Sequence, residues 1–372
     1  TPSYTVIEQA TGGCLDSMAA ALVGFAHLGG TEDITKPLGR AKSEFFEDMT
    51  GAQCLGDARD WRKWSSRFKT GQIDYYKAGM PCTDYASLGY QEGCLGNKGG
   101  NLFLHQADTI LHLLPKVCRL EMVPTALEVH NGWEVKKVVS MLKSQYHVHA
   151  KVVSCWHYGD PTARTRLIIM GFRTDLFDNA WEWPDHQCDE SWYPIARDIA
   201  IPDDEVPDHY LLHDNPRLLP RPSDPHPGRV HQIGYAGADE QWARREAGYS
   251  TKPLNIQGWD GCWATQMATN GGSRRPLLSW SPDQPLTPTR MTVPVESCRN
   301  ASLNEKSYLA FARKHYSRKR LGMTFDQWVR ELVNLGVPLM TGIAIDRGVM
   351  SKLKQANIKP SDPCANAYIA HA

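Results

Sequence analysis

From Tyr4 to Phe172 the chain alternates short apolar runs with segments of helical spacing, and this alternation constrains the fold more than any other feature. Tyr4-Thr5-Val6-Ile7-Glu8 reads as a strand and Gly12-Gly13 as a turn. Leu15, Met18, Ala19 and Leu22 then mark one face of a helix that opens directly after the glycines. The order recurs: a strand over Phe25 to Glu32, a helix from Gly39 to Met49, a strand ending near Asp57, and a strand over Ile73 to Ala78. A helix from Leu102 to Leu114, a strand over Thr125 to Val129 and a helix from Trp133 to Leu142 follow, and the strands Val148 to Cys155 and Leu167 to Phe172 close the series. Strands joined through helices pair in parallel, so residues 1–175 are expected to form an α/β, Rossmann-like domain with a mostly parallel sheet.

Past Arg173 the periodicity fades and Pro, Asp, His and Trp become frequent, as in Pro216-Arg217-Leu218-Leu219-Pro220-Arg221-Pro222. Residues 176–295 are expected to form a smaller, loop-rich region. Helical spacing returns at Lys306 to Tyr316, Phe325 to Leu335 and Gly342 to Leu353, so residues 296–372 are expected to carry helices back to the first domain.

The 41 Lys and Arg balance the 41 Asp and Glu, which excludes a uniformly basic coat for nucleic acid but not local basic patches. No run approaches the roughly 20 apolar residues that span a bilayer, and no membrane partner is expected. Thr1 to Ala10 has neither the basic start nor the apolar core of a secretion signal; the chain opens on Thr, as a processed form or a piece of a longer protein would. The 10 Cys are spread singly, without a Cys-x-x-Cys pair, so no metal is expected and the thiols read as reduced groups of an intracellular protein. That protein would be nuclear in a eukaryote and otherwise sit in the cytoplasm or nucleoid.

Four places could carry chemistry. In an open α/β sheet the ligand crevice lies at the carboxyl ends of the strands. Gly12-Gly13 follows the first strand, and Glu32 ends the second, 20 residues past Gly12, where a carboxylate can take ribose hydroxyls. The Gly-x-Gly-x-x-Gly spacing is absent, so a plain tight turn competes with this reading. Gly79-Met80-Pro81-Cys82 follows the strand Ile73 to Ala78 and projects a thiol into the crevice; a lone Cys elsewhere is more often a buried filler. Glu128 stands near the end of the strand Thr125 to Val129, where capping the next helix is its alternative. Arg164-Thr165-Arg166 leads into the strand Leu167 to Phe172 and could equally be a solvated edge. Together they make a nucleophile, an acid and a clamp for an anion or carbonyl.

In this order the segments resemble the cytosine-C5 DNA methyltransferase family. Gly79-Met80-Pro81-Cys82-Thr83-Asp84-Tyr85-Ala86-Ser87-Leu88-Gly89 is similar to its Pro-Cys nucleophile motif, and Gly99-Gly100-Asn101-Leu102-Phe103 to the helix start that follows. Leu127-Glu128-Val129-His130 resembles the Glu-Asn-Val motif, and Thr162-Ala163-Arg164-Thr165-Arg166 the Gln-x-Arg-x-Arg motif. Gly56-Asp57 is similar to the Gly-Asp where an acid meets adenine, and Gly336-Val337-Pro338 to the last motif, whose helix returns to the cofactor. The chain departs from the family at Ala10-Thr11-Gly12-Gly13-Cys14, which lacks the aromatic of Phe-x-Gly-x-Gly. Thr83 and Thr162 stand where the family has Gln, His130 shifts the usual Asn, and Gly-Asn is missing before Val337.

The resemblance implies methyl transfer from S-adenosylmethionine, yielding S-adenosylhomocysteine, to C5 of a cytosine flipped out of double-stranded DNA. It implies Cys82 as nucleophile at C6, Glu128 at N3 of the base, and Arg164 with Arg166 as the carbonyl clamp. The cofactor would lie against Ala10, Thr11, Gly12, Gly13, Cys14, Leu15, Glu32, Asp57, Ala58, Pro81 and Val337. DNA contacts would come from Ser87, from Arg244, Arg245, Arg274 and Arg275, and from Trp259, Trp263 and Trp280 in a target-recognition region. The run Arg313-Lys314-His315-Tyr316-Ser317-Arg318-Lys319-Arg320 suits phosphate binding and a solvated helix end equally. Two further readings stay open: a catalytically silent relative that binds DNA or cofactor, and a tRNA cytosine methyltransferase of the same chemistry.

Overall fold

The computed structural model describes residues 3–86, 91–96, 101–189, 191–210, 217–220, 232–237, 254–257, 259, 262–263, 277–279 and 289–361. They fall into two compact units. The first comprises Thr1–Val153, Thr165–Asp185 and Leu335–Ala372; the second comprises Ser154–Arg164 and His186–Asn334.

The first unit is built on a seven-stranded sheet. In chain order its elements are β1 (Thr5–Gln9), α1 (Leu15–Val23), β2 (Ala26–Glu32), α2 (Pro37–Thr50), β3 (Cys54–Asp57), α3 (Trp61–Ser65) and β4 (Tyr75–Gly79). Then come α4 (Leu102–Leu113), β5 (Val117–Met122), α5 (Trp133–Leu142), β6 (Tyr146–Ser154) and β7 (Thr165–Arg173). The strand order is β3-β2-β1-β4-β5-β7-β6. β1 pairs in parallel with β2 and β4, β2 with β3, and β4 with β5, while β7 runs antiparallel to β5. One apolar layer packs Leu120 and Met122 of β5 with Phe103, Ile110 and Leu113 of α4 and Val138 and Leu142 of α5.

One expected strand is corrected. Thr125 to Val129 is not a strand: β5 ends at Met122, and residues Pro124–Leu127 and Val129–Gly132 form two short 3-10 turns. The ladder cannot continue because Pro124 has no N–H to donate.

The last helix of this unit, Leu339–Gln355, lies against α1, where a Cβ on Gly342 would come within 2.9 Å of Ala19 Cβ. A buried charge network joins it to the sheet. Lys77 of β4 donates to Asp346 Oδ2 at 2.7 Å and to the Asp16 carbonyl at 2.7 Å, and lies 3.6 Å from Glu8 Oε1. Arg119 of β5 pairs with Asp16 and reaches Asp346 Oδ1 at 3.4 Å, and the Tyr75 hydroxyl donates to Asp346 Oδ1 at 3.0 Å. Burial would raise the Glu8 carboxyl, but Lys77, His27 and Ser17 outweigh it and hold the value down at about 2. Glu8 therefore adds stability above the ordinary carboxyl range, and that contribution is lost as pH falls towards 2. Lys77→Met removes one buried partner and strands the others, so it is expected to destabilise the protein by about 3–5 kcal/mol. Urea unfolding at neutral pH measures this, and a loss under about 1 kcal/mol would show that the network contributes little.

Residues 176–295 are loop-rich by expectation, yet within them the second unit contains a five-stranded sheet. Its strands are β8 (Arg217–Pro220), β9 (Gln232–Gly237), β10 (Leu254–Gln257), β11 (Leu277–Ser279) and β12 (Thr289–Met291), in the order β12-β11-β10-β9-β8. Its helices are α6 (Ala196–Ile199), α7 (Pro294–Asn300), α8 (Glu305–Lys314), α9 (Arg318–Leu321) and α10 (Phe325–Val333). The fully buried Arg290 donates to both carboxylate oxygens of Glu296, at 3.0 and 2.6 Å, and so ties β12 to α7. The helices α7 to α10 thus pack in the second unit; the return to the first begins only at Leu335 and carries one helix, α11 (Leu339–Gln355). Among the described residues no helix is long and apolar enough to cross a membrane.

Candidate active site

The carboxyl ends of β1, β2, β4 and β5 open onto one cavity of the first unit. The turn after β1 forms one wall. Ala10, Gly12 and Cys14 all adopt left-handed conformations, with φ of 62, 56 and 61°. Gly12 has a second reason to lack a side chain, since a Cβ there would come within 2.9 Å of Leu335 Cβ. The Gly12 amide donates to Glu32 Oε2 at 2.8 Å and the Thr11 amide to the Thr31 carbonyl at 3.0 Å, so the turn closes over the end of β2.

Of the expected cofactor residues, Ala10, Thr11, Gly12, Glu32 and Pro81 line the cavity. Gly13, Cys14, Leu15, Asp57, Ala58 and Val337 are not in its lining, and Leu335 and Gly336 stand where Val337 was expected. Cys14 and Val337 are buried. Asp57 is committed elsewhere: its carboxylate accepts from Arg59 Nε at 2.9 Å, Arg59 Nη2 at 2.7 Å and the Arg59 amide at 2.8 Å. The Arg59 guanidinium holds the Asp57 carboxyl below its ordinary value. Sequence reading did not single out Asp16, Lys36, Lys42 and Lys77, which also line the cavity.

Gly79, Met80, Pro81 and Glu121, from the ends of β4 and β5, also line the cavity. The buried Gln106 of α4 donates to the Gly79 carbonyl at 2.7 Å and fixes the end of β4. Cys82 follows, exposed, at the start of a single 3-10 turn whose amides at Tyr85 and Ala86 bond back to its carbonyl at 3.0 and 2.7 Å. Glu121 is the cross-strand neighbour of Gly79, and a Cβ on Gly79 would lie 3.4 Å from Glu121 Oε2. The Glu121 carboxylate is buried and ion-paired with Nε of the buried Arg166.

Glu128 is not at a strand end and not in the cavity lining: it is exposed on the turn beyond β5. Arg164 belongs to the second unit, where its guanidinium donates to the Asn334 carbonyl at 2.9 Å. Ser87, Arg244, Arg245, Arg274, Arg275 and Trp280 lie outside the described residues. Trp259 and Trp263 are buried, packed with Ala196 and Ile199 in a small core rather than displayed for bases. Glu121 carried one legible signal, its position two residues past Arg119 in a run of otherwise apolar character.

The sheet order, the reversed β7 and the acid at the end of β2 define an α/β, Rossmann-like methyltransferase fold. Solved structures agree. The Schizosaccharomyces pombe Dnmt2 methyltransferase superposes with a TM-score of 0.61 at 13% identity, over 95% of this chain and 100% of its own. The Entamoeba histolytica methyltransferase EhMeth gives 0.58 at 13%, over 95% and 99%. The model of the C-5 cytosine-specific DNA methylase family matches residues 24–219, more than half of the chain, and the chain belongs to that family. Type II methyltransferase M.HhaI of Haemophilus parahaemolyticus is 30% identical over 140 residues, 37% of this chain and 41% of that protein. M.HaeII of Haemophilus aegyptius is 27% identical over 194 residues, 52% and 57% respectively. The chain thus matches less than two thirds of the length of these curated relatives.

Proposed function

We propose that the protein methylates C5 of cytosine in double-stranded DNA, through a covalent bond between Cys82 and C6 of a flipped-out base. The observation that carries this is the buried Glu121–Arg166 pair at the end of β5, beside Gly79 and Pro81 and one residue from an exposed thiol. The cavity suits S-adenosylmethionine in its donor set: a carboxylate at the end of β2 for the ribose diol, a glycine turn for close backbone approach, and charged groups of both signs for an amino-acid tail. Ala10, Thr11, Gly12, Glu32, Leu335 and Gly336 would hold it, and when bound it supplies an electrophilic methyl group.

C5 of cytosine is too electron-poor to accept such a methyl unaided. Addition of the Cys82 thiolate to C6 makes the ring an enamine, nucleophilic at C5. Glu121 takes the role expected of Glu128: it shares a proton with N3 and stabilises charge developing in the ring. Arg166 holds the Glu121 carboxylate in place. Arg164 is assigned to the carbonyl oxygen of the base. Loss of the C5 proton to water then lets the S–C6 bond break, returning the thiolate. The base must leave the duplex for this, and the second unit is assigned to target choice.

Tritiated methyl transfer, run in parallel on duplex DNA, tRNA and no nucleic acid, tests the reading. Label in duplex DNA is expected. Label in tRNA alone would move the substrate to RNA, and label in neither, with DNA and cofactor bound, would identify a silent relative. Within the pocket, Glu32→Ala is expected to weaken S-adenosylmethionine binding about tenfold or more by calorimetry, as for a lost hydrogen bond to a charged group. Asp57→Ala should change it less, because Arg59 already occupies that carboxylate. A larger effect at Asp57 would return the adenine contact to it.

A further inference from the structure

Glu134 opens the first turn of α5, and its side chain is fully buried. A carboxylate in the first turn is favourable for the helix, yet burying one is costly unless it is hydrogen-bonded. Its bonds run to the segment that follows the proposed nucleophile. The Cys94 amide donates to Glu134 Oε1 at 3.2 Å, and His130 Nδ1 lies 2.6 Å from the same oxygen. Burial would raise this carboxyl, but the His130 ring and the neighbouring amides hold it below its ordinary value.

The fit is close. Gly93 has φ of +54°, and a Cβ there would come within 2.3 Å of Glu134 Oε1 and 2.9 Å of the His130 ring. Three residues on, a Cβ at Gly96 would come within 2.3 Å of a carboxylate oxygen or carbon of Asp84, which is itself fully buried two residues past Cys82. The Thr125 hydroxyl donates to the Tyr85 carbonyl at 2.7 Å. The supporting backbone is strained: His130, Asn131 and Gly132 are consecutively left-handed, with φ of 47, 54 and 68°. Such a run persists only where surrounding contacts fix it, and it tends to occur at functional sites.

We propose that Glu134 is a positioning residue for methyl transfer: it docks the Gly93–Leu95 turn onto the start of α5, with His130 as its support, and so holds the Cys82 turn in register with Glu121. The proposal rests on the cytosine-methyltransferase reading, in which Cys82 must meet C6. Glu134 does not line the cofactor cavity, so its substitution should act on turnover and not on cofactor affinity.

Glu134→Ala is expected to lower kcat on duplex DNA at least about tenfold, within the roughly 10²-fold range of a small misplacement, while leaving the S-adenosylmethionine Kd within about twofold. Glu134→Gln keeps the accepting oxygen and should recover most of the loss. Alkylation followed by peptide mapping reads the docking directly. Cys94 should react about fivefold or more faster in Glu134→Ala than in Glu134→Gln, which loses the same charge beside the thiol but keeps the accepting oxygen, while the buried Cys118 stays unlabelled. If Glu134→Ala does not fold, His130→Ala carries the test from an exposed position and should speed Cys94 labelling to a smaller degree. Wild-type kcat with wild-type Cys94 labelling in a folded variant would overturn the proposal. The labelling needs no methyl transfer, so an inactive wild type would sink the enzyme reading and leave the docking test standing.

Discussion

With duplex DNA carrying 5-fluorocytosine at the target and S-adenosylmethionine present, the wild-type protein is expected to form a complex that survives denaturing electrophoresis. Cys82→Ser is expected to form none. The fluorine occupies the position from which a proton must leave, so the reaction proceeds through S–C6 bond formation and methylation and then stops, with the S–C6 bond intact. Serine cannot substitute, because a neutral hydroxyl is a far weaker nucleophile than a thiolate near pH 7. The structure sharpens the choice of thiol. Cys14, Cys118, Cys155, Cys188, Cys262 and Cys298 are buried, and Cys54 and Cys94 are half-buried; Cys82 is exposed next to Pro81 of the cavity wall. Cys54→Ser, on β3, should retain the complex. An adduct that persists without Cys82 would refute the assignment. A wild type that binds DNA and cofactor but forms no adduct would be a silent relative.

The alternation of strand and helix over the first unit was legible because β1 and β4 each keep adjacent apolar or aromatic residues, Val6-Ile7 and Tyr75-Tyr76, beside a single charge. β5 was not. A strand buried on both faces is expected to be continuously apolar, and Val117-Cys118-Arg119-Leu120-Glu121-Met122 has two charges in it. Both belong to the same alternate set. Cys118, Leu120 and Met122 join the apolar core, while Arg119 is neutralised by Asp16 and Asp346 and Glu121 by Arg166. The partners stand far away in sequence, 227 residues in the case of Asp346, so no local pattern announces them. The five-stranded sheet of the second unit was missed for a related reason. Its strands have three to six residues each, too short for a period of two to register. Trp259 and Trp263 show the converse error: aromatics that suit base stacking by type are core residues by position.

The displaced strand has a direct chemical consequence. Glu121→Gln is expected to lower the single-turnover rate of methyl transfer by about 10²–10³-fold, the usual cost of removing a positioned acid or a charge-stabilising group. Glu128→Gln should stay within about threefold, as befits a surface substitution. The difference follows from placement. Glu121, the last residue but one of β5, lies in the cavity wall, cross-strand from Gly79, with Arg166 fixing its carboxylate. Glu128 is exposed on a turn seven residues further on, where its backbone bonds to Thr125 and Asn131. Glutamine preserves the shape of Glu121 and one accepting oxygen, but it cannot share a proton with N3, and it leaves Arg166 without a counter-charge. Thermal melting run alongside separates that second effect: a folded Glu121→Gln protein that binds S-adenosylmethionine normally and transfers methyl slowly has lost chemistry, not structure. The reverse ranking, a slow Glu128→Gln and a near-normal Glu121→Gln, would restore the acid to the turn and would mean that the exposed carboxylate reaches the base only in the DNA complex.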